Sequence, residues 1–277
     1  MRTASSAILV IVALVVAAIA GPSLWLQRNV VDQEGFVALA GPLGGDKVFQ
    51  QSLTSLLSSK AAASLNLPPL LNTLAVEIIT SAAQNIYSDP GYPQAWSETL
   101  QRSHALTFAA AGKSEVVGDL QLDLAPLVDL VAAKVTADVG ATVPTPKDVV
   151  VSMEQPEIAR VLPLAATLGG WSGWMVFIAV DLLALGVIVA RRRALTVIAG
   201  GVGLGIMALL WLLVSGAVQG YLSALVLGPE AATQIGAQVA ELARESWQGG
   251  ITLTFVLAGV VAAVGVVSLV VGRRRTT

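Results

Sequence analysis

One carboxylate lies inside an otherwise apolar stretch of this chain and calls for a chemical explanation. Asp181 belongs to the segment MVFIAVDLLALGVIVARRR, residues 175–193. A helix would place it about 15 Å before Arg191, near the centre of a bilayer, where a charge costs at least about 2.5–3.5 kcal/mol. Because desolvation favours the neutral acid, we expect Asp181 to be protonated at neutral pH and to donate a hydrogen bond.

Two hypotheses give this carboxyl a partner, and a third is that Asp181 faces lipid without a role. The structural one is a helix–helix or subunit contact, in which Asp181 bonds a backbone carbonyl left open by glycines at the same depth, such as Gly203, Gly205 and Gly265. The functional one is a proton or ion relay in a transporter or channel subunit. Four spans with one acid make a poor pathway, so this second hypothesis requires an oligomer.

The chain's one histidine is the next candidate for chemistry. Trp96, Leu100, His104 and Phe108 are four residues apart and therefore share a helix face. A catalytic histidine needs a carboxylate or a nucleophile beside it, and the sequence names neither. We therefore predict that Trp96, His104 and Phe108 are core residues, with His104 hydrogen-bonded to a neighbouring helix. An extracytoplasmic hydrolase that uses His104 is the alternative.

Metal and cofactor chemistry have little support. Asp119, Asp123 and Asp129 supply oxygen atoms that a hard cation prefers, but their spacing is not that of a calcium loop. The chain has no cysteine and one histidine, which excludes cysteine-ligated metals and a multi-histidine site within one chain. We predict no metal and no cofactor.

The glycine-rich segment GGVGLG, residues 200–205, resembles a phosphate-binding loop only superficially. It lacks the Lys-Ser/Thr ending and lies within an apolar stretch. Gly201 and Gly205 have the small-x-x-x-small spacing of transmembrane helices that pack closely. We predict that these two glycines, together with Gly265, are helix-packing positions.

Composition indicates a membrane protein. Of 277 residues, 55% are hydrophobic and 12% charged, against roughly a quarter charged in soluble domains. The mean hydropathy is +0.75, and the net charge of −2 gives no reason to expect a nucleic-acid partner. Four apolar stretches are long enough to cross a bilayer as helices. They run from about residue 6 to 26, from 171 to 190, from 194 to 217 and from 251 to 272.

Arginine placement predicts the orientation. Arg2, the triplet 191–193 and the triplet 273–275 fall on one side of a four-span chain, and positive residues favour the cytoplasm. Tryptophans lie mainly at the opposite ends of the spans, where aromatic residues favour the interface. We therefore predict a multi-pass plasma-membrane protein in contact with the lipid bilayer, with both termini cytoplasmic. Cleavage after Ala20, in the sequence AIAG, is an alternative to an uncleaved first span.

The predicted segments follow from these spans. They are a first transmembrane helix 1–26, an extracytoplasmic domain 27–170, a second helix 171–190, a cytoplasmic turn 191–193, a third helix 194–217, an outer loop 218–250 with an amphipathic helix at 229–247, a fourth helix 251–272 and a tail 273–277.

The domain at 27–170 is acidic and predicted to be mainly α. It carries 8 basic and 14 acidic residues, a net charge of −6. Helical spacing recurs in GDKVFQQSLTSLLSS, PPLLNTLAVEIITSAAQNIY, QAWSETLQRSHALTFAAAG and PLVDLVAAKVTADVG, whereas DLQLDL and DVVVSM have strand character. The predicted fold class is a mainly α membrane protein with four transmembrane helices, an α-rich extracytoplasmic domain and a small two-stranded β element.

Three segments, 30–53, 95–112 and 120–131, contain an early Phe-Val followed by Pro-Leu, a Trp and a His eight residues apart, and a Leu-Asp-Leu motif. The positions are Phe36, Val37, Pro42, Leu43, Trp96, His104, Leu122, Asp123 and Leu124. Together they resemble a group of actinobacterial multi-pass membrane proteins. The resemblance covers most of the chain, but its motifs are short and hydrophobic. It implies a Gram-positive plasma membrane and an extracytoplasmic domain, and it carries over no catalytic residue.

The sequence therefore favours a non-enzymatic envelope protein. We expect its outer domain to bind a partner protein or an envelope component, or the chain to form a homo-oligomer. The alternative is a transporter or channel subunit that works through Asp181.

Overall fold

The computed structural model divides the chain into two compact units, each described by itself below. The span bundle comprises Met1–Arg28, Ala165–Ala224 and Ala243–Thr277, and the helical domain comprises Asn29–Leu164 and Leu225–Leu242. The structure describes residues 2–64, 69–111, 121–140, 149–152, 156–224 and 230–274.

Helices make up most of the described residues. They are α1 Arg2–Leu26, α2 Gln33–Ala40, α3 Lys47–Ser64, α4 Pro69–Asn85, α5 Tyr92–Ala111, α6 Ala125–Val139, α7 Pro156–Val189, α8 Arg193–Ala224 and α9 Glu230–Arg274. A π-helical turn spans Gln27–Val31, and 3-10 turns span Gly41–Gly45 and Ile86–Ser88. The strands are β1 Gln121–Asp123 and β2 Val150–Ser152.

Local signals explain where several helices of the helical domain begin and end. Asp46 precedes α3, and its Oδ1 accepts a hydrogen bond from the Phe49 N–H at 2.8 Å, as an N-cap residue does. Pro69 opens α4, where its missing N–H costs nothing. Gly140 ends α6 with a left-handed φ of 72°, a conformation that glycine adopts without strain.

Large aliphatic and aromatic side chains form the core of the helical domain. They come from α3 to α6 and include Leu53, Leu57, Ile86, Leu124 and Leu127, all almost fully buried. Val48 of α3 does not join this core, since it is 50% exposed. At 3.6 residues per turn Val48 lies about 140° around the helix from Leu53, outside the buried face.

The two strands form a small antiparallel sheet, which confirms the predicted two-stranded element. Leu122 pairs with Val151, and the register continues through one residue on either side. The Asp123 N–H donates to Ser103 Oγ of α5 at 2.9 Å, so this helix holds the edge of β1.

Four helical stretches are long and apolar enough to cross a membrane, which confirms that part of the predicted fold class. They run over Arg2–Val31, Leu162–Val189, Arg193–Gly216 and Gln238–Arg274. The predicted amphipathic segment at 229–247 and the fourth span form one continuous helix, α9, from Glu230 onward. Pro163 lies inside α7, which continues through it.

Small residues lie inside the span bundle and large ones on its surface. Ala13, Ala20 and Ala208 are buried, whereas Phe177 and Leu213 are about 60% exposed. In water such a surface would be costly, but lipid tails are as apolar as these side chains. The arrangement supports a multi-pass membrane protein.

Candidate functional site

An open groove with a volume of about 800 Å³ lies between α3 and α4 in the helical domain. Helix α3 supplies one wall, α4 supplies the other, and Tyr87 of the following 3-10 turn closes one end. The groove is lined by Lys47, Gln50, Gln51, Thr54, Ser55, Ser58, Val76, Thr80, Gln84 and Tyr87.

Most of the residues that line the groove are polar and uncharged, although most of the surface that they expose to it is apolar. Among the described residues that line it, Lys47 is the only charged one; most of the others carry hydroxyl or amide groups. Such groups donate and accept hydrogen bonds without a charge that must be neutralised. The groove is therefore suited to an uncharged polar ligand.

The groove has a fixed floor and a free rim. On the floor, Ser58 Oγ donates to the Thr54 carbonyl at 2.8 Å, so this hydroxyl is engaged within α3. On the rim, Gln51, Ser55 and Gln84 are exposed, and no described residue hydrogen-bonds their side chains. These rim residues are available to a ligand without breaking a bond inside the domain.

Tyr87 fixes the end of the groove. Its hydroxyl lies 2.7 Å from the Gln50 carbonyl oxygen and 2.8 Å from Thr54 Oγ1, and Thr54 Oγ1 lies 2.8 Å from the same carbonyl. Burial raises the pKa of Tyr87, although the Thr54 hydrogen bond partly opposes the shift. The tyrosine thus stays neutral and joins the two walls.

A glycine turn before α3 supports the groove from below. Tyr92 Oη donates to the Gly44 carbonyl at 2.9 Å, Gln50 Nε2 donates to the same oxygen at 2.7 Å, and Trp96 Nε1 donates to the Gly41 carbonyl at 3.1 Å. Burial raises the pKa of Tyr92, and neighbouring Tyr87 raises it further. These bonds orient the start of α3, which carries Gln50 and Gln51.

Trp96 lies in the hydrophobic core, where its ring meets Phe49 edge-on with centroids 5.2 Å apart. A Cβ on Gly44 would lie 2.5 Å from Trp96 Cδ1, so only glycine fits beneath the indole. Trp96 is thus a structural support of the glycine turn.

His104 is buried among aromatic rings. Its imidazole stacks on Phe108 with centroids 4.4 Å apart and lies 5.3 Å from the Phe36 ring. Nε2 is 3.0 Å from the Val30 carbonyl oxygen, and because a carbonyl only accepts, Nε2 must carry the proton. No carboxylate or hydroxyl group hydrogen-bonds the ring among the described residues. This geometry is that of a core histidine bonded to a neighbouring helical turn.

The predicted aspartate cluster is only partly described. Asp123 Oδ1 accepts the Ala125 N–H at 2.9 Å and so assists the start of α6, while Asp129 is exposed on α6. Asp119 lies outside the described residues. Among the residues that the structure describes, no three His, Cys, Asp or Glu side chains gather as metal ligands would.

Asp181 lies on the exposed surface of α7 and does not face the predicted glycines. No described residue hydrogen-bonds it or pairs with its charge. The proposed bond to a carbonyl within the same chain is therefore absent from the described residues, and the version with a partner subunit remains.

The three predicted packing glycines differ in how closely a neighbour approaches. A Cβ on Gly201 would lie 2.6 Å from the Ala262 backbone nitrogen, and one on Gly265 would lie 2.8 Å from the Ile198 nitrogen, so α8 and α9 meet backbone to backbone there. A Cβ on Gly205 would meet only Ala258 Cβ at 3.9 Å, an ordinary contact.

Sequence reasoning missed the groove. Its signal lies in α3, whose polar positions Gln50, Gln51, Thr54, Ser55 and Ser58 contain no charged residue. Exposed helix faces usually carry Glu, Lys or Arg. The uncharged face could have been noticed, but its partner α4 could not, because the pairing of two helices is a tertiary feature.

The fold and the site define a class: a chain with four helices able to span a membrane and a separate helical domain that bears a polar groove. Comparison of the sequence with protein-family models, curated proteins and solved structures finds no match.

Proposed function

We propose that this chain is a non-enzymatic plasma-membrane protein whose helical domain lies outside the cytoplasm and binds an envelope component through the α3–α4 groove. The arginine triplet 191–193 and the arginines after the fourth span support this orientation, with both termini in the cytoplasm. The resemblance to actinobacterial multi-pass proteins supports a Gram-positive envelope as the setting.

The uncharged polar side chains on the rim of the groove carry the proposal. Hydroxyl and amide groups on the rim match the hydroxyl groups of a neutral glycan, which need both donors and acceptors. A strongly anionic polymer is disfavoured because the segment 27–170 has a net charge of −6. We therefore favour a neutral glycan of the cell wall over a charged ligand.

The surroundings of His104 support a non-enzymatic role. Its ring nitrogen bonds a backbone carbonyl, and its faces meet Phe36 and Phe108. A general base needs access to the substrate proton, which this packing does not provide.

Binding can be tested on the full-length protein in lipid nanodiscs. The probe is a set of soluble neutral cell-wall glycan fragments, with anionic fragments for comparison. The double variant Gln51→Ala/Gln84→Ala should weaken neutral-glycan binding about tenfold, since each lost hydrogen bond contributes roughly 0.5–1.5 kcal/mol. The matched control is Gln94→Ala/Gln101→Ala, two exposed glutamines on α5 outside the groove.

Equal neutral-glycan binding by the groove variant and the control would show that the groove is not the binding site. If a photo-crosslinker at position 55 captured only a protein in cells, the ligand of the groove would be a protein and not a glycan.

A transporter or channel subunit is the second candidate, and the exposure of Asp181 limits it. Because Asp181 faces away from the interior of its own bundle, any pathway that uses it must form between copies of the chain. Proton or cation flux in proteoliposomes should then fall in Asp181→Leu. Equal flux in the parent and the variant would eliminate this candidate.

A further inference from the structure

Most positions of α7 between Trp171 and Ile188 are exposed, and one set of them runs through Asp181. The members of this set alternate three and four residues apart, which is the heptad spacing of helices that pair along their length. They are Trp171, Trp174, Ile178, Asp181, Leu185 and Ile188. All of them belong to the span bundle.

The acid in this stripe needs a partner that its own chain does not supply. Within the four predicted spans Asp181 is the only charged residue, so no span offers an opposite charge at its depth. No described residue hydrogen-bonds it. Lipid tails cannot hydrogen-bond, and an unsatisfied polar group in hydrocarbon costs several kcal/mol.

We infer that a second copy of this chain covers the stripe, and that the two Asp181 carboxyls bond to each other at the two-fold axis. In a parallel pair related by two-fold symmetry, a residue at the contact meets its own equivalent at the same depth. A neutral carboxyl has one donor and a free acceptor, so two of them satisfy each other without any other residue.

A second copy fits better than a different protein. In a parallel two-fold pair the exposed apolar residues on both sides of the acid would each meet their own equivalents, as the acid does. A single polar residue within an apolar heptad seam fixes the register of the pair, as buried polar residues do in coiled coils. This inference rests on the membrane placement of the spans and is independent of the groove and its ligand.

Cysteine crosslinking of the full-length protein in nanodiscs tests the pair, because the natural chain has no cysteine. Leu185→Cys lies on the stripe. Val180→Cys is its control, because Val180 is 60% exposed against 48% for Leu185 but lies about 100° from Asp181 around the helix. On mild oxidation, Leu185→Cys should form disulfide-linked dimers and Val180→Cys should stay monomeric.

Adding Asp181→Leu to Leu185→Cys should weaken dimerisation about tenfold in a lipid-dilution series, whereas Asp181→Asn should keep most of it, because an amide also donates and accepts. The exposed site makes misfolding of Asp181→Leu unexpected, and a thermal melt checks this. If Asp181→Leu lowers the melting temperature, the test rests on Asp181→Asn, and a loss of dimerisation in that variant would count against the inference.

Three results would overturn the inference: no dimer from Leu185→Cys, equal crosslinking from both cysteine positions, or crosslinking that Asp181→Leu leaves unchanged. Because the nanodiscs contain only this chain, the first result would show that a second copy does not cover the stripe.

Discussion

The helical domain buries many large side chains, whereas the buried residues of the span bundle are mostly small. In the helical domain Leu53 and Leu127 are fully buried, and aromatic rings fill the space between helices. In the span bundle Ala208 is fully buried, while Leu213 is 62% exposed. Both regions are helical, so the difference lies in what each helix surface meets.

The difference shows that the two regions are held together by different forces. Water drives large apolar residues into the core of the helical domain. In lipid this force is absent between helices, so close approach and interhelical hydrogen bonds must replace it. The span bundle has both: glycines at α8–α9, the bond from Ser6 Oγ to the Gly186 carbonyl at 2.8 Å, and the bond from Trp211 Nε1 to the Ala18 carbonyl at 3.1 Å.

The same substitution should therefore change the free energy of unfolding much more in the helical domain than in the span bundle. We expect Leu53→Ala to lower the free energy of unfolding of the helical domain by about 2–5 kcal/mol, because it leaves a cavity in the core. Leu213→Ala should change stability by less than about 0.5 kcal/mol, since this side chain lines no cavity. Denaturant unfolding in detergent micelles measures both, and equal losses would contradict the comparison.

A second pair tests close approach in the span bundle. Gly201→Val should destabilise the bundle by about 1–3 kcal/mol, because its Cβ would press on the Ala262 backbone. Gly259→Val is the control, since a Cβ at Gly259 meets nothing within 4 Å. Thermal unfolding in the same detergent separates the variants, and similar melting temperatures would show that α8 and α9 are farther apart than described.

The smallest expected effect concerns the tyrosines of the helical domain. Tyr87 and Tyr92 have raised pKa values, so the folded state keeps their protons at a pH where the unfolded state has lost them. Their contribution is complete below the ordinary tyrosine pKa of about 10 and falls as pH rises above it. Unfolding measured from pH 8 to pH 11 should show declining stability.

Tyr92→Phe should make that decline shallower, while it costs about 0.5–1.5 kcal/mol at pH 8 through the lost bond to the Gly44 carbonyl. Identical slopes for the parent and Tyr92→Phe would mean that Tyr92 does not contribute to the alkaline effect.

Much of the fold follows from the sequence because its signals are local. Run length and hydropathy predict four helices able to span a membrane, and strict alternation predicts β1. Asp46 and Pro69 mark helix starts by their own chemistry. The starts of α7 and α9 could not be predicted from hydropathy, because both helices begin well before the apolar residues that mark the spans.

The candidate site was less predictable because it depends on contacts between distant elements. The groove needs α3 and α4 to pair, and the exposure of Asp181 depends on how α7 is rotated in its bundle. A single sequence gives the face on which a residue lies, but it does not say which neighbour covers that face.

The most direct test of the account is the accessibility of single cysteines in intact cells. The chain has none of its own, so Gln101→Cys on α5 and Arg192→Cys in the turn between α7 and α8 each report one position. We expect a membrane-impermeant maleimide to label Gln101→Cys in intact cells and Arg192→Cys only after permeabilisation. Labelling of Arg192→Cys in intact cells, with Gln101→Cys protected, would contradict the proposed placement of the helical domain outside the membrane.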